Sequence, residues 1–399
     1  MADSTIGPSK DEGREAPQNG DGDWQEKAKA FGRARIRLYA ARTAALFIFL
    51  FALWYSGVSG WLDNALSDIA PQRWLHILLF LLLYQVIVAL IFLPFSYYGG
   101  FVLQHRFGLS RQTASDWLID WVKGAVIGAV FFVAGFEVFY LSIELFPGQW
   151  WWILAAGLSL MALFLTYVGP VLLLPIFYKC SPLEDQELVD RIEVLAGRAG
   201  ARISRVCSIN MSKRTTAANA ALTGIGRTRQ VLLGDTMLQQ FSLDEVETVV
   251  AHELGHHVHG DIWKGLGVQV AGIWVGLFLL QWAVRPAFLG YGLGDISDLR
   301  NLPLLLLLAE LAGLLLMPAF NALSRRYEAE ADRFAARISN APDAYASALY
   351  RLAKQNLAEL WPPRWVEVLL YTHPAIGRRI AAVGGAGGQG DGRARGGSG

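Results

Sequence analysis

The chain has 399 residues, of which 53% are hydrophobic and only 17% charged, and its formal net charge is +1. Soluble domains carry about 25% charged residues, so the deficit points to a membrane protein, and the balanced charge gives no footing for a nucleic-acid partner. Two cysteines, Cys180 and Cys207, make neither a disulfide framework nor a zinc ribbon and read as thiols in a reducing compartment.

Residues 1–30 are polar and rich in Gly, Asp, Glu and Lys, and are expected to form a disordered N-terminal tail. No apolar run follows the first methionine closely, which argues against a cleavable signal peptide. Residues 31–178 hold four apolar runs of spanning length, since a bilayer core takes roughly 20 helical residues. They run from Ala44 to Leu62, Leu75 to Tyr98, Gly124 to Phe146 and Trp150 to Phe177. The triplet Trp150–Trp152 is an interfacial aromatic belt by type. Residues 179–262 have ordinary polarity. There "EDQELVDRIEVLAGRAG" predicts an amphipathic helix with a glycine stop, and "SRVCSINM" and "RQVLLGDTML" predict short strands. In "FSLDEVETVVAHELGHH", Ser242 and Glu245 stand at capping-box spacing before an apolar period of three to four, so a helix begins there.

Residues 263–323 form a membrane hairpin with spans at Gly265–Val284 and Leu302–Phe320. In the segment 324–383, "SRRYEAEADRFAARI" predicts a second charged amphipathic helix. Residues 384–399 are a flexible Gly/Arg tail. The fold class that follows is mainly α: a polytopic helical bundle or chamber of about six spans. It carries a cytoplasmic α+β domain, split by the hairpin, whose halves lack a complete core alone. Orientation follows from the flanks. Arg33, Arg35, Arg37 and Arg42 precede span one, and His105, Arg106, Arg111 and Lys123 lie between spans two and three. Positive charge marks the cytoplasmic side. Both termini and the 179–262 segment are therefore expected there, in a multi-pass protein of the cell membrane if bacterial.

The stretch "AHELGHHVHGD" carries the chemistry. His252 and His256, four apart on a helix, present both imidazoles from one face, a spacing that suits one zinc ion per chain. Glu253 is one residue round, set to accept the proton of a water that the metal acidifies. This is the H-E-x-x-H logic of metalloproteases. His257 and His259 lie off the ligand face and read as supporting or surface groups. A catalytic zinc needs a third protein ligand. The metzincin extension fails, because His259 stands where a glycine should and Ile262 where a histidine should. The candidates are carboxylates on the second charged helix: Glu328, Glu330 and Asp332. Glu328 and Asp332 share a face and Glu330 points away, which leaves the choice open on pattern alone.

"HELGHHVHGD", a membrane hairpin and then "SRRYEAEADRFA" resemble the type I CaaX prenyl endopeptidases, integral-membrane zinc proteases related to the heat-shock protease HtpX. "LPFSYYGGFVLQHRFGLSRQT", "ANAALTG", "RQVLLGDTML" and "THPAIGRRI" extend the likeness, in order, over residues 70 to 380 or so. The resemblance implies Glu328 as third zinc ligand and Asp332 as a group orienting a ligand histidine, with Arg379 matching a later arginine. It implies that Asn219 and Ala220 open an edge strand that pairs with an extended substrate backbone. It further implies that His373, ahead of Pro374, stabilises the oxyanion of the reaction. Eukaryotic members have seven spans; six are found here.

The function expected is a membrane-embedded zinc endopeptidase acting on a peptide or protein presented at the lipid bilayer. Its substrates are either CaaX-type prenylated C-termini or damaged and membrane proteins in quality control. The pattern sets no oligomeric state. An intramembrane site-two protease fits worse, because Asp244, Glu245 and Glu247 put the helix start in water. A non-proteolytic transporter or metal-binding protein is the alternative, since Glu137, Glu144 and Glu310 sit in apolar runs and such carboxylates line polar pathways. A water-filled protease chamber would account for them equally.

Overall fold

The computed structural model describes residues 21–224, 226–290 and 295–387. A bundle of long apolar helices carries a small α+β unit at one end. The first helix, α1 (Asp21–Tyr55), is followed by α2 (Val58–Ile69) and α3 (Arg73–Tyr97), the last continued by one wide turn (Tyr98–Val102) and a short helix to Arg106. Then come α4 (Ala114–Leu145) and α5 (Trp150–Val168). Among the described residues six helices are long and apolar enough to cross a membrane, as expected from the runs.

Several expectations need correction. Residues 21–30 are helical, not part of a tail: Trp24, Ala28 and Phe31 recur every three to four residues, are buried, and pack on Leu103, Ala353 and Leu357. Residues 1–20 of the expected tail lie outside the described residues, as do residues 388–399 at the other end; α12 (Ile376–Gly387) runs into the start of the expected C-terminal tail. The first span ends at Tyr55 rather than Leu62, because Gly57 takes φ +74° and breaks the helix before α2. Trp150 is no belt residue: it is 2% exposed and meets Phe139 edge-on, while Trp152 faces outward.

The α+β unit starts with β1 (Cys180–Pro182), α6 (Gln186–Arg198), β2 (Arg205–Ile209), β3 (Ala220–Thr223) and β4 (Gln230–Gly234). The sheet order is β1-β2-β4-β3, with β2 and β4 parallel and the outer pairs antiparallel. β3 is therefore an edge strand, and β4, buried at every position, is the centre. α7 (Leu243–Val258) carries the histidines, and α8 (Asp261–Gly290) follows after a break at Gly260. α9 (Leu302–Ser339) is one unbroken helix through Pro318, so the charged segment expected as a separate helix is the continuation of the sixth span. α10 (Pro342–Gln355), α11 (Arg364–Leu370) and α12 complete the fold.

One core serves both halves of the unit. Leu188, Ile192, Leu233, Val250 and Leu254 from before the hairpin pack with Ala335, Tyr345, Leu349 and Val383 from after it. A second core, with Leu50, Phe80, Leu81, Tyr140, Leu154 and Leu302, sits among the membrane helices. The basic flanks lie at the α+β end: Ser110 bridges Thr215, and Arg214 binds Asp120. The acidic flanks gather at the opposite end, where Asp63 meets His76 and Glu144 meets Arg73.

Candidate metal centre

α7 is fixed before its histidines are reached. Ser242 Oγ accepts from the Glu245 amide at 3.3 Å and Glu245 Oε2 accepts from the Ser242 amide at 2.9 Å, a complete capping box. The same buried Glu245 accepts from Arg351 at 2.7 Å and Ser347 at 2.6 Å, which ties the helix start to α10. Ten residues on, His252 and His256 leave one face, and their Nε2 atoms stand 3.2 Å apart.

α9 brings Glu328 to them. Its Oε2 is 3.4 Å from His252 Nε2 and its Oε1 is 3.3 Å from His256 Nε2. His373, in the turn before α12, sets its Nε2 3.2 Å from Glu328 Oε1. One ligand atom from each of His252, His256 and Glu328 falls within 4.8 Å of the others. Two ligands at about 2.0–2.1 Å from one tetrahedral ion stand about 3.3 Å apart, so these spacings fit zinc. Glu328 Oε2 is buried with no hydrogen-bond partner among the described residues, an orphan that an ion would satisfy.

Each imidazole is also turned the right way. His252 Nδ1 lies 2.9 Å from the Tyr345 hydroxyl and 3.0 Å from Asp332 Oδ1. His256 Nδ1 lies 2.9 Å from Asp261 Oδ2. A carboxylate at Nδ1 holds the proton there and leaves the Nε2 lone pair free for a metal. Asp332 is in turn clamped by Arg379 through two bonds, of 2.9 and 2.7 Å. Burial pulls the His256 imidazole down, but Glu328 and Asp261 outweigh it and hold the group up at about 9. For His252 burial likewise opposes, and Asp332 and Glu328 prevail, raising it.

Glu253 lines a cavity of about 430 Å³ with His256, Glu328 and Leu222. Burial raises its carboxyl, with the His252 and His256 imidazoles and a backbone hydrogen bond from Leu222 opposing. Asn219 is exposed at the head of β3 and its carbonyl accepts from Gly234 at 2.9 Å; Ala220 is buried, pairing Leu233. The cavity touches that strand at Leu222, two residues beyond Ala220. His257 lines the cavity without joining the cluster, and His259 packs edge-on against Phe334. Glu330, half-buried, reaches Lys264 at 3.8 Å and lies away from the histidines. Two contacts were missed in the sequence. Asp261, five residues after His256, was readable as the end of the same motif. Tyr345 gave no signal, because only the tight turn at Asn340 (φ 52°) folds α10 back onto His252.

Residues 21–179 match the family model described as CAAX prenyl protease N-terminal, five membrane helices, and residues 182–386 match that of peptidase family M48. The chain belongs to peptidase family M48. An uncharacterized metalloprotease of Bacillus subtilis, YhfN, is 32% identical over 337 residues, covering 83% of this chain and 78% of that protein. The CAAX prenyl protease 1 homolog of Oryza sativa is 26% identical over 90% of this chain and 86% of its own length. The crystal structure of S. mikatae Ste24p superposes with a TM-score of 0.78 at 23% identity, over 93% of this chain and 92% of that one, which shows a shared fold. This M48 metalloprotease is therefore a multi-pass membrane protein. Where the family model counts five membrane helices, residues 21–179 hold four candidate spans and the short α2.

Proposed function

We propose that this M48 metalloprotease is a zinc endopeptidase holding one zinc ion on His252, His256 and Glu328. The observation that carries the reading is the set of three spacings of 3.2–3.4 Å among those ligand atoms, with each imidazole Nδ1 already taken. Bound zinc would supply a Lewis acid that polarises the scissile carbonyl and makes a water easy to deprotonate near neutral pH.

The chain's own groups do the rest. Glu253, its basicity increased by burial, takes the proton of the attacking water and delivers it to the departing amine. His373, exposed and 3.2 Å from Glu328, donates to the oxygen that gains charge. Asp332, Tyr345 and Arg379 hold His252, and Asp261 holds His256. The open edge of β3, from Asn219 and Ala220 onward, binds the substrate backbone as an added strand.

The site faces the cytoplasm, because the basic flanks of spans one to three lie at its end of the bundle. The substrate is a peptide presented at the bilayer: Ile262, Val268, Phe320 and Leu323 line the cavity's membrane side. Several relatives are named CAAX prenyl protease 1, which favours a CaaX-type prenylated tail over misfolded membrane proteins. Cleavage of a farnesylated peptide and not its unprenylated twin supports the first; equal cleavage supports the second. For the reaction itself the test is Glu253→Gln. It should keep zinc and lose about 10²–10⁴-fold in kcat; cleavage at wild-type rate with zinc bound would refute the role.

A further inference from the structure

The cavity beside the metal centre holds a cation that the reaction does not use. Arg229, directly before β4, lines it together with Glu253, His256 and Glu328. Its backbone is fixed. The Arg229 carbonyl accepts from the Ser204 amide at 2.7 Å and from the Ser204 hydroxyl at 2.5 Å. Upstream, Gly224 takes φ +80° and packs so closely on Thr228 that a Cβ would stand 2.4 Å from the Thr228 carbonyl oxygen. That turn admits glycine alone.

The guanidinium is only part satisfied. Nη1 donates to the Arg202 carbonyl at 3.1 Å, while Nε is buried with no hydrogen-bond partner among the described residues. Burial pushes the group down, and no carboxylate among the described residues pairs with it. Two of the neighbouring carboxylates already have partners. Asp261 holds His256 and Lys264, and Glu328 meets His252, His256 and His373. A half-desolvated guanidinium without a counter-charge is unfavourable until an anion arrives, and a carboxylate offers it two parallel bonds. The strand supplies the approach: Leu222 and Gly224 line the same cavity, so a peptide laid along β3 runs towards Arg229.

We propose that Arg229 is a carboxylate-binding subsite of the peptide groove, taking either the substrate's C-terminal carboxylate or an Asp or Glu side chain near the scissile bond. This rests on the endopeptidase reading of the adjoining centre.

The test uses full-length zinc-loaded protein in detergent and three quenched fluorogenic peptides of one sequence: a neutral peptide amide, the same peptide as free acid, and the amide with one Glu. Wild type should prefer the free acid or the Glu peptide over the neutral amide by roughly tenfold in kcat/KM, the size of one charge-assisted hydrogen bond, mostly through KM. Which of the two is preferred names the source of the carboxylate. Arg229→Gln should bring the ratio to about 1, and Arg229→Lys should keep part of it. No preference in wild type, or an unchanged ratio in Arg229→Gln, overturns the proposal. If Arg229→Gln does not fold, the wild-type ratio and the lysine variant still decide. Binding of labelled peptides to Glu253→Gln protein, read by fluorescence anisotropy, separates the two readings. An Arg229-dependent binding preference without cleavage in wild type would sink the protease reading and keep the subsite. Cleavage without a preference would do the reverse.

Discussion

α7 and α9 meet at Gly255, and that contact sets the distance between the two histidines and Glu328. A Cβ built on Gly255 would stand 3.0 Å from Ala331 Cα and 3.3 Å from Ala331 Cβ and its carbonyl oxygen. The neighbour is helix backbone, three residues after Glu328 and one before Asp332, so it cannot rotate away. Carbon atoms pack best about 3.5–4.0 Å apart, so Gly255→Ala must part the helices by about 0.5 Å. Metal–ligand distances tolerate about 0.2 Å. Overpacking costs about 1–3 kcal/mol and the better helix propensity of alanine returns about 1 kcal/mol. The metal-stripped fold should therefore melt within a few degrees of wild type, while zinc affinity falls tenfold or more. Competition against a chromophoric chelator measures the affinity, and a thermal melt of stripped protein measures the fold. Wild-type zinc affinity in Gly255→Ala would refute the claim that this helix contact positions Glu328.

Tyr345→Phe removes the hydroxyl that touches both His252 Nδ1 and Asp332, and should lower zinc affinity or activity 10–100-fold; wild-type values in both assays would count against it. Glu328→Ala should leave purified protein with well under one zinc per chain, and full occupancy by elemental analysis would remove Glu328 from the ligand set. For pH, the His256 imidazole of stripped protein is held at about 9, above the ordinary 6.5. Its protonation stabilises the stripped fold fully below about 6.5, and that contribution is lost as pH rises through about 9. Zinc must displace this proton, so its apparent affinity should climb by about tenfold per pH unit from pH 7 to 9 and then flatten; a flat profile in chelator-buffered zinc would contradict the assignment.

What the sequence revealed and what it hid divide by the range of the interaction. The capping box at Ser242, the helix Gln186–Arg198, and the central strands of the sheet are local, and each was legible from spacing. So was the pairing of His252 with His256, because four residues on a helix define a face. The third ligand was not legible in that way. Glu328 and Glu330 differ only in which side of α9 they occupy, and residue type does not say which side meets α7. The structure separates them by burial and contacts: Glu328 is 6% exposed and lies beside both histidines, whereas Glu330 reaches Lys264. The helical start at residues 21–30 was written in Trp24, Ala28 and Phe31, but a stripe three residues wide in a polar stretch needs its partner surface on α10 to become structure.

The two halves of the site are joined by more than proximity. α8 begins at Asp261, whose carboxylate orients His256, and then enters the apolar hairpin. α9 emerges from that hairpin and continues without a break to Glu328 and Asp332. Both membrane helices thus end in groups of the same cluster: Asp261 touches His256, and Glu328 faces both histidines. A helix is stiff over these lengths, so a tilt of the hairpin moves Asp261 and Glu328 relative to α7. The spacing of the ligand atoms is then a property of the inserted bundle rather than of the α+β unit alone. This explains why a site built from seemingly soluble segments is carried on membrane helices. On the proposed reading the peptide would arrive along an edge strand, and a metal acting on it would be held in place by the way two helices leave the bilayer.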